Sequence, residues 1–274
     1  MAQLDIAILQ NDTVPVNPDA QTAALQRAAH DAAQASAGLL ITPELFMSGY
    51  KIPGEVADMA QPVDGRYTQA VSAIAKQAGL AILCGYPERD AAGIFNSAAL
   101  FDAKGNLVCN HRKLHLSGPY EKEHFITEAN SVQVADIAGI KVAPLICYDV
   151  EFPETVRAAA LAGAELVAVP TALVEQFAFL TRTLIPTRAF ENGIFVAYAN
   201  HAGSEADLSY CGLSTLARPD GSFTQTHGAG EELLIARIDT AEIALARDRL
   251  PYLADLRRDL IGNQINIRAY PQHR

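Results

Sequence analysis

The stretch 141-KVAPLICYDVEFPE-154 decides how the chain is read. Its apolar run Val142–Ile146 has the length and residue types of a buried strand. Pro153 then opens a helix, because proline suits a helix's first turn and no later one. Gly163 marks that helix's end. A strand, a tight turn and a helix in succession are the unit of an α/β fold. Cys147 stands at the junction. It is either a small buried hydrophobe, the common fate of a cysteine beside such a run, or a nucleophile at a sheet edge. In the second case turn N–H groups could face its substrate's oxygen.

The same alternation continues outward. Leu4–Leu9, Gly38–Ile41, Leu80–Cys84 and Leu166–Val169 read as further buried strands. Asn17-Pro18-Asp19 carries the cap and first-turn proline of a helix, and Gly38 is expected to end it. A second helix begins after Asp64, buries Tyr67, Ala70, Val71, Ile74 and Ala78, and stops at Gly79. Two segments depart from this rhythm and resemble each other: 96-NSAALFDAKGNLVCNHRK-113 and 211-CGLSTLARPDGSFTQTH-227. Each reads as a strand, a turn with Asp and Gly, and a returning strand. The pair implies two similar halves, each with its own sheet, facing one another with helices outside. No linker rich in Pro, Gly or Ser divides them, so residues 1–274 read as one four-layer α/β domain.

Composition excludes several classes of function. Half of the 274 residues are hydrophobic and the mean hydropathy is +0.09, which rules out disorder and leaves ample material for a core. The formal net charge of -10, with no basic patch, argues against nucleic-acid binding. No segment approaches the roughly 20 apolar residues that a membrane span needs. The opening MAQLDIAILQND reads as a first strand rather than a signal, so a cytoplasmic location is expected. The four cysteines, Cys84, Cys109, Cys147 and Cys211, are scattered without a C-x-x-C pair. That argues against a disulfide framework and a thiolate zinc site. His111, His115 and His124 lie along one loop with no second cluster, so neither a metal nor a cofactor is expected.

A cysteine nucleophile needs help, because only about 3% of an unperturbed thiol is ionised at pH 7. Cys84, Cys109 and Cys211 sit inside strand-like runs and read as packing residues. Two other strand ends offer partners for Cys147. Glu44 leaves the apolar run of 38-GLLITPELFMSGY-50 where a loop begins. It is either a surface carboxylate or a general base. Lys113, in 111-HRKLHLSGPYEKEHF-125, is either a solvated side chain or a cation for an oxyanion. Together the three segments supply an acid, a cation and a sulfur, the parts of thiol acyl transfer.

At this point the chain resembles the nitrilase superfamily, the carbon–nitrogen hydrolases. Its Glu–Lys–Cys triad matches PELFMSGY at Glu44, HRKLHL at Lys113 and LICYDVEFPE at Cys147. The resemblance extends through TRAFENGIFVAYANHAG, with Arg188, Glu191, Asn192 and Asn200, to PYLADLRRDL. It implies an α-β-β-α sandwich and a fourth site residue, Glu121, eight positions after the lysine, which helps hold substrate and water. Neighbouring Glu123 is placed on the solvent side. The resemblance also implies an oxyanion held by Lys113 and the backbone N–H of Tyr148. Homodimers or higher homo-oligomers are expected of such a protein, with a core of about 1–245 and a tail of about 246–274 at the dimer interface.

Tyr148-Asp149 after the cysteine is similar to the amidase-like branches, whereas true nitrilases carry Trp and Glu there. Small bacterial amidases, 5-aminopentanamidase and the R-stereoselective amidases among them, look most alike. Ser117 departs from their frequent aromatic, and Glu121 from the Asp some of them carry. The expected partner is a small-molecule primary amide. Omega-amidase, deaminated-glutathione amidase, N-carbamoyl amino acid hydrolase and nitrilase activities use the same triad and stand as alternatives.

Overall fold

The computed structural model describes residues 1–12, 17–51, 56–128 and 132–257. Its first part runs β1 (Gln3–Asp12), α1 (Pro18–Gln34), β2 (Leu39–Ile41), α2 (Val56–Met59), α3 (Arg66–Ala78), β3 (Ala81–Arg89), β4 (Ile94–Phe101), β5 (Leu107–Arg112) and α4 (Gly118–His124). It continues through β6 (Ala135–Ile137), β7 (Ile140–Pro144), a 3-10 turn over Cys147–Glu151, α5 (Pro153–Leu161) and β8 (Leu166–Pro170). Then come α6 (Leu180–Asn192), β9 (Phe195–Ala199), β10 (His201–Glu205), β11 (Leu208–Cys211), β12 (Thr215–Ala217), β13 (Phe223–Gln225), β14 (Glu232–Asp239) and α7 (Thr240–Arg249).

Strands buried on both faces explain the continuous apolar runs. Along β1, Leu4, Ile6 and Ile8 point to the space between two sheets, while Ala7 and Leu9 point out toward α1 and α3. The period of two is the strand's own. In β9, Phe195, Ala197 and Ala199 face inward, and Val196 and Tyr198 face α5 and α6. Small residues on the helices, such as Ala28, Ala29 and Ala32 of α1 and Ala158, Ala159 and Ala160 of α5, let them lie close on the sheets. The result is a four-layer α-β-β-α sandwich, as the sequence implied.

One sheet has eight strands in the order β11-β10-β1-β2-β3-β4-β5, with β14 also paired to β1. The other has six, in the order β13-β12-β9-β8-β7-β6. The halves are therefore not as separate as the expected division, each with its own sheet. β10, β11 and β14 come from the second half of the chain yet complete the first sheet. β14 runs antiparallel to β1 over eight residue pairs, from Gln3↔Asp239 to Gln10↔Glu232. An open β1 would expose a row of unpaired backbone groups, and this strand covers them.

Helix limits follow local chemistry. Asn17 caps α1 by accepting the N–H of Asp19. That helix ends at Gln34, four residues before the expected Gly38. Ala35 forms the C-cap, and Ser36 turns the chain with φ 62°. Gly38 belongs to the entry of β2, where its N–H donates to the Asp5 carbonyl at 2.7 Å and a Cβ would meet Leu4 at 2.5 Å. Gly79, at φ 68°, ends α3 as expected. On that helix Tyr67, Val71 and Ile74 are buried together with Thr68 and Ala75, while Ala70 and Ala78 are at the margin. α7 spans the expected boundary between core and tail, and positions 258–274 of that tail lie outside the described residues.

The inter-sheet core sets the distance between the two sheets. Phe195 is fully buried there. Phe195→Ala is expected to lower stability by about 3–5 kcal/mol, read from urea unfolding curves.

Candidate active site

Glu44 lies three residues past β2, at the place where the two sheets meet. Its backbone N–H donates to Thr171 O at 3.3 Å, just beyond β8, and its carbonyl accepts His201 Nε2 at 2.8 Å. Gly85 of β3 runs beneath this loop. A Cβ there would stand 2.5 Å from Leu45 N and 2.8 Å from Pro43 O, backbone atoms with nowhere to go. The side chain of Glu44 is wholly buried. Its Oε1 accepts from Asn96 Nδ2 and from Lys113 Nζ, both at 2.7 Å. Its Oε2 is buried with no protein partner among the described residues.

Lys113 follows β5 directly. Period two puts His111 and Lys113 on one face, and both are 1% exposed, while Arg112 between them turns out to ion pairs with Glu88 and Asp90. The Lys113 backbone N–H donates to Asn96 O at 2.8 Å. Its ammonium reaches Glu44 Oε1 at 2.7 Å and Glu121 Oε1 at 2.6 Å. Glu121 projects from the short helix α4, where its Oε2 accepts the Ser117 N–H at 2.7 Å and its Oε1 the Tyr50 hydroxyl at 2.6 Å. Glu123 is exposed, on the side expected of it.

Cys147 does not end a strand. β7 stops at Pro144, and Cys147 opens the 3-10 turn with φ 44°. A side chain other than glycine in that left-handed region is strained, which makes the junction an elbow. All four cysteines are buried, so burial does not set Cys147 apart. Its position does. Tyr148 follows in the first turn, where N–H groups lack intrahelical acceptors. The Tyr148 ring packs edge-on against Phe152.

The electrostatics join the three residues. Burial pushes the Glu44 carboxyl up to about 7, although the Lys113 charge and its hydrogen bond resist. Burial also opposes the charge on Lys113, yet Glu44, Cys147 and Glu121 more than offset it and hold the ammonium well above its ordinary value. Burial and the Glu44 charge push the Cys147 thiol up, with Lys113 opposing. The sulfur is therefore held as a thiol beside a carboxylate raised toward neutrality and a fixed cation. This arrangement can pass one proton between sulfur and carboxylate and hold negative charge on a nearby oxygen.

Several residues of this cluster escaped the sequence reading. Tyr50 ends the quoted PELFMSGY segment, and Asn96 opens the first hairpin, but an isolated Tyr or Asn gives no sign of its partner. The Tyr50 N–H donates to both oxygens of Glu205 at 3.1 Å, and Glu205 also takes the Tyr210 hydroxyl at 2.8 Å. That fixes the loop whose tyrosine holds Glu121. Asp149 counted only as a marker of relatedness. It is fully buried and accepts from His111 Nε2, His115 Nδ1 and the N–H groups of Leu114, His115 and Ile146, at 2.9–3.1 Å.

A family model described as carbon-nitrogen hydrolase matches residues 5–248. The chain is 42% identical over 257 residues to the "Hydrolase in pqqF 5'region" of Pseudomonas protegens, covering 93% of this chain and 90% of that one. It is 32% identical over 227 residues to an (R)-stereoselective amidase of a Pseudomonas species, covering 82% of each. Among solved structures, an amidase of Nesterenkonia AN1 from the nitrilase superfamily matches with a TM-score of 0.83. Its identity is 34%, over 94% of this chain and 95% of that one. The chain belongs to the carbon–nitrogen hydrolases of the nitrilase superfamily and is an amidase-like enzyme.

Two expectations test the geometry. Gly85→Ala should displace the Glu44 loop and lower kcat/KM on the order of 100-fold, with a folded circular dichroism spectrum. Burial raises the Asp149 carboxyl, but hydrogen bonds from His111 and His115 outweigh it and hold the group at about 2, against 3.8 ordinarily. The stability this gives, about 2 kcal/mol, is complete above the unfolded value and is lost as pH falls through the folded one. Acid unfolding of the wild type should therefore lose that contribution below about pH 4, while Asp149→Ala lacks it at neutral pH.

Proposed function

We propose that the protein hydrolyses a primary amide of a small carboxylic or amino acid to the acid and ammonia, through a thioester on Cys147. The observation that carries this reading is Glu44 Oε2, which has no partner among the described residues. A buried carboxylate oxygen without a donor, beside a fixed ammonium, is poised to take a proton from a thiol. In a mutant of a relative, the Nesterenkonia amidase, the acetamide moiety of fluoroacetamide is covalently attached at the active-site cysteine. We assign the corresponding role to Cys147 here.

The steps follow from the parts. Cys147 Sγ attacks the amide carbon as its proton passes to Glu44 Oε2. The carbonyl oxygen becomes an oxyanion, held by Lys113 Nζ and the Tyr148 N–H, and one such donor is worth about 3 kcal/mol in the transition state. Glu44 gives its proton to the nitrogen, the C–N bond breaks and ammonia leaves. Water, oriented by Glu121 and deprotonated by Glu44, then attacks the thioester. The C–S bond breaks and Glu44 returns the proton to sulfur.

Charge supports a neutral or cationic acyl group. Lys113 is committed to Glu44 and Glu121, and Lys51 near the Glu205 loop is paired with Asp207 at 2.5 Å. Glu121 and Glu205 add negative charge beside the site, and Lys113 and Lys51 are both paired, which favours an acyl group without a carboxylate.

Cys147→Ala is expected to abolish ammonia release from aliphatic and ω-amino amides while preserving the fold; retained release would sink the reading. In the wild type, kcat/KM should rise with pH through about 7, because only ionised Glu44 accepts the thiol proton. Glu44→Gln should lose that rise and at least about 100-fold in rate. Turnover confined to ω-amides of 2-oxo acids would instead select an omega-amidase, and turnover of nitriles alone a nitrilase.

A further inference from the structure

The triad residues reach the site from separate elements, so something must fix Lys113 relative to Cys147. On one side of Lys113 the backbone is tied to Asn96 O at 2.8 Å. On the other side the chain would be an open loop, since β5 ends at Arg112 and α4 begins only at Gly118. Asp149 closes it. One carboxylate oxygen, Oδ1, takes the N–H groups of Leu114 and His115 at 3.0 and 2.9 Å and the His115 ring at 3.1 Å. The other, Oδ2, takes His111 Nε2 and the Ile146 N–H, both at 3.1 Å. Leu114 and Ile146 are the immediate neighbours of Lys113 and Cys147. The His115 ring also stacks on Phe152, at the far end of the nucleophile turn, with centroids 3.9 Å apart.

We propose that Asp149 is a positioning residue for the reaction: its carboxylate sets the placement of the Lys113 ammonium relative to the Cys147 sulfur. This rests on the amidase reading above. An ionised carboxylate accepts at every lone pair, and all five groups aimed at it donate. An asparagine of the same shape cannot serve them, because its NH2 would face the donors on one side. A shift of about 1 Å between cation and sulfur is enough to slow the chemistry on the order of 100-fold.

The test compares Asp149→Asn and His115→Ala with wild type and with Cys147→Ala. Asp149→Asn should lower kcat by roughly 100-fold with KM nearly unchanged, since the lost geometry matters to the transition state. The pH profile for alkylation of Cys147 by iodoacetamide, followed by mass spectrometry, should move to higher pH as the lysine ceases to be held against the sulfur. His115→Ala removes one side-chain bond and the stack, and should move both readouts less in the same direction. It keeps the test valid if Asp149→Asn does not fold. Wild-type kcat and an unmoved alkylation profile in folded variants would make Asp149 a purely structural carboxylate and overturn the proposal. Ammonia release by Cys147→Ala would instead overturn the amidase reading itself.

Discussion

A lysine ammonium enclosed between two carboxylates is the constraint on which the candidate site depends. Lys113 is 1% exposed, and both Glu44 and Glu121 are fully buried. Taking such ions from water is expensive, and only close, saturated geometry offsets it. The fold supplies that geometry from both flanks. Asn96 holds the lysine's backbone and Asp149 the two residues after it, Tyr50 and Ser117 hold Glu121, and His201 with Thr171 holds the backbone of Glu44. Glu44 Oε2 is one of the buried atoms there without a partner among the described residues, with Asn96 Oδ1 and His201 Nδ1. In the proposed reaction it is the atom that receives the Cys147 proton.

The inter-sheet core and this cluster are one construction. Cys147 belongs to the same buried group as Ile8, Leu166 and Phe195. The nucleophile is therefore carried by the packing that joins the sheets, and Glu44 bridges them through Thr171. A rigid scaffold of this kind suits a reaction in which one proton moves over short distances several times.

Much of this was legible in the sequence, for identifiable reasons. Strands buried on both faces leave continuous apolar runs, and Asn17, Pro153 and Gly79 mark helix ends by chemistry that acts locally. Glu44 and Cys147 each follow such a run and Lys113 follows a short alternating strand, so their types and positions could be read. What could not be read is long-range pairing. Nothing near Gln3 names Asp239 as its partner, and so the contribution of the last strands to the first sheet stayed hidden. Gly38 misled because its glycine serves close packing against Leu4 rather than a helix cap. Asp149 and Asn96 act mainly through residues distant in sequence, and a single Asp or Asn carries no trace of the donors waiting for it.

The pairing of β14 with β1 has a consequence for how the molecule comes into being. A sheet whose central strand needs residues 232–239 cannot be finished before those residues have been made. Closing a loop of more than 220 residues is entropically slow, and contacts of such separation form late. Glu44 hangs from the strand beside β1, so the sheet behind it is complete only once residues 232–239 have joined. A growing chain that already carries Cys147 but not those residues therefore lacks the full sheet behind its prospective base.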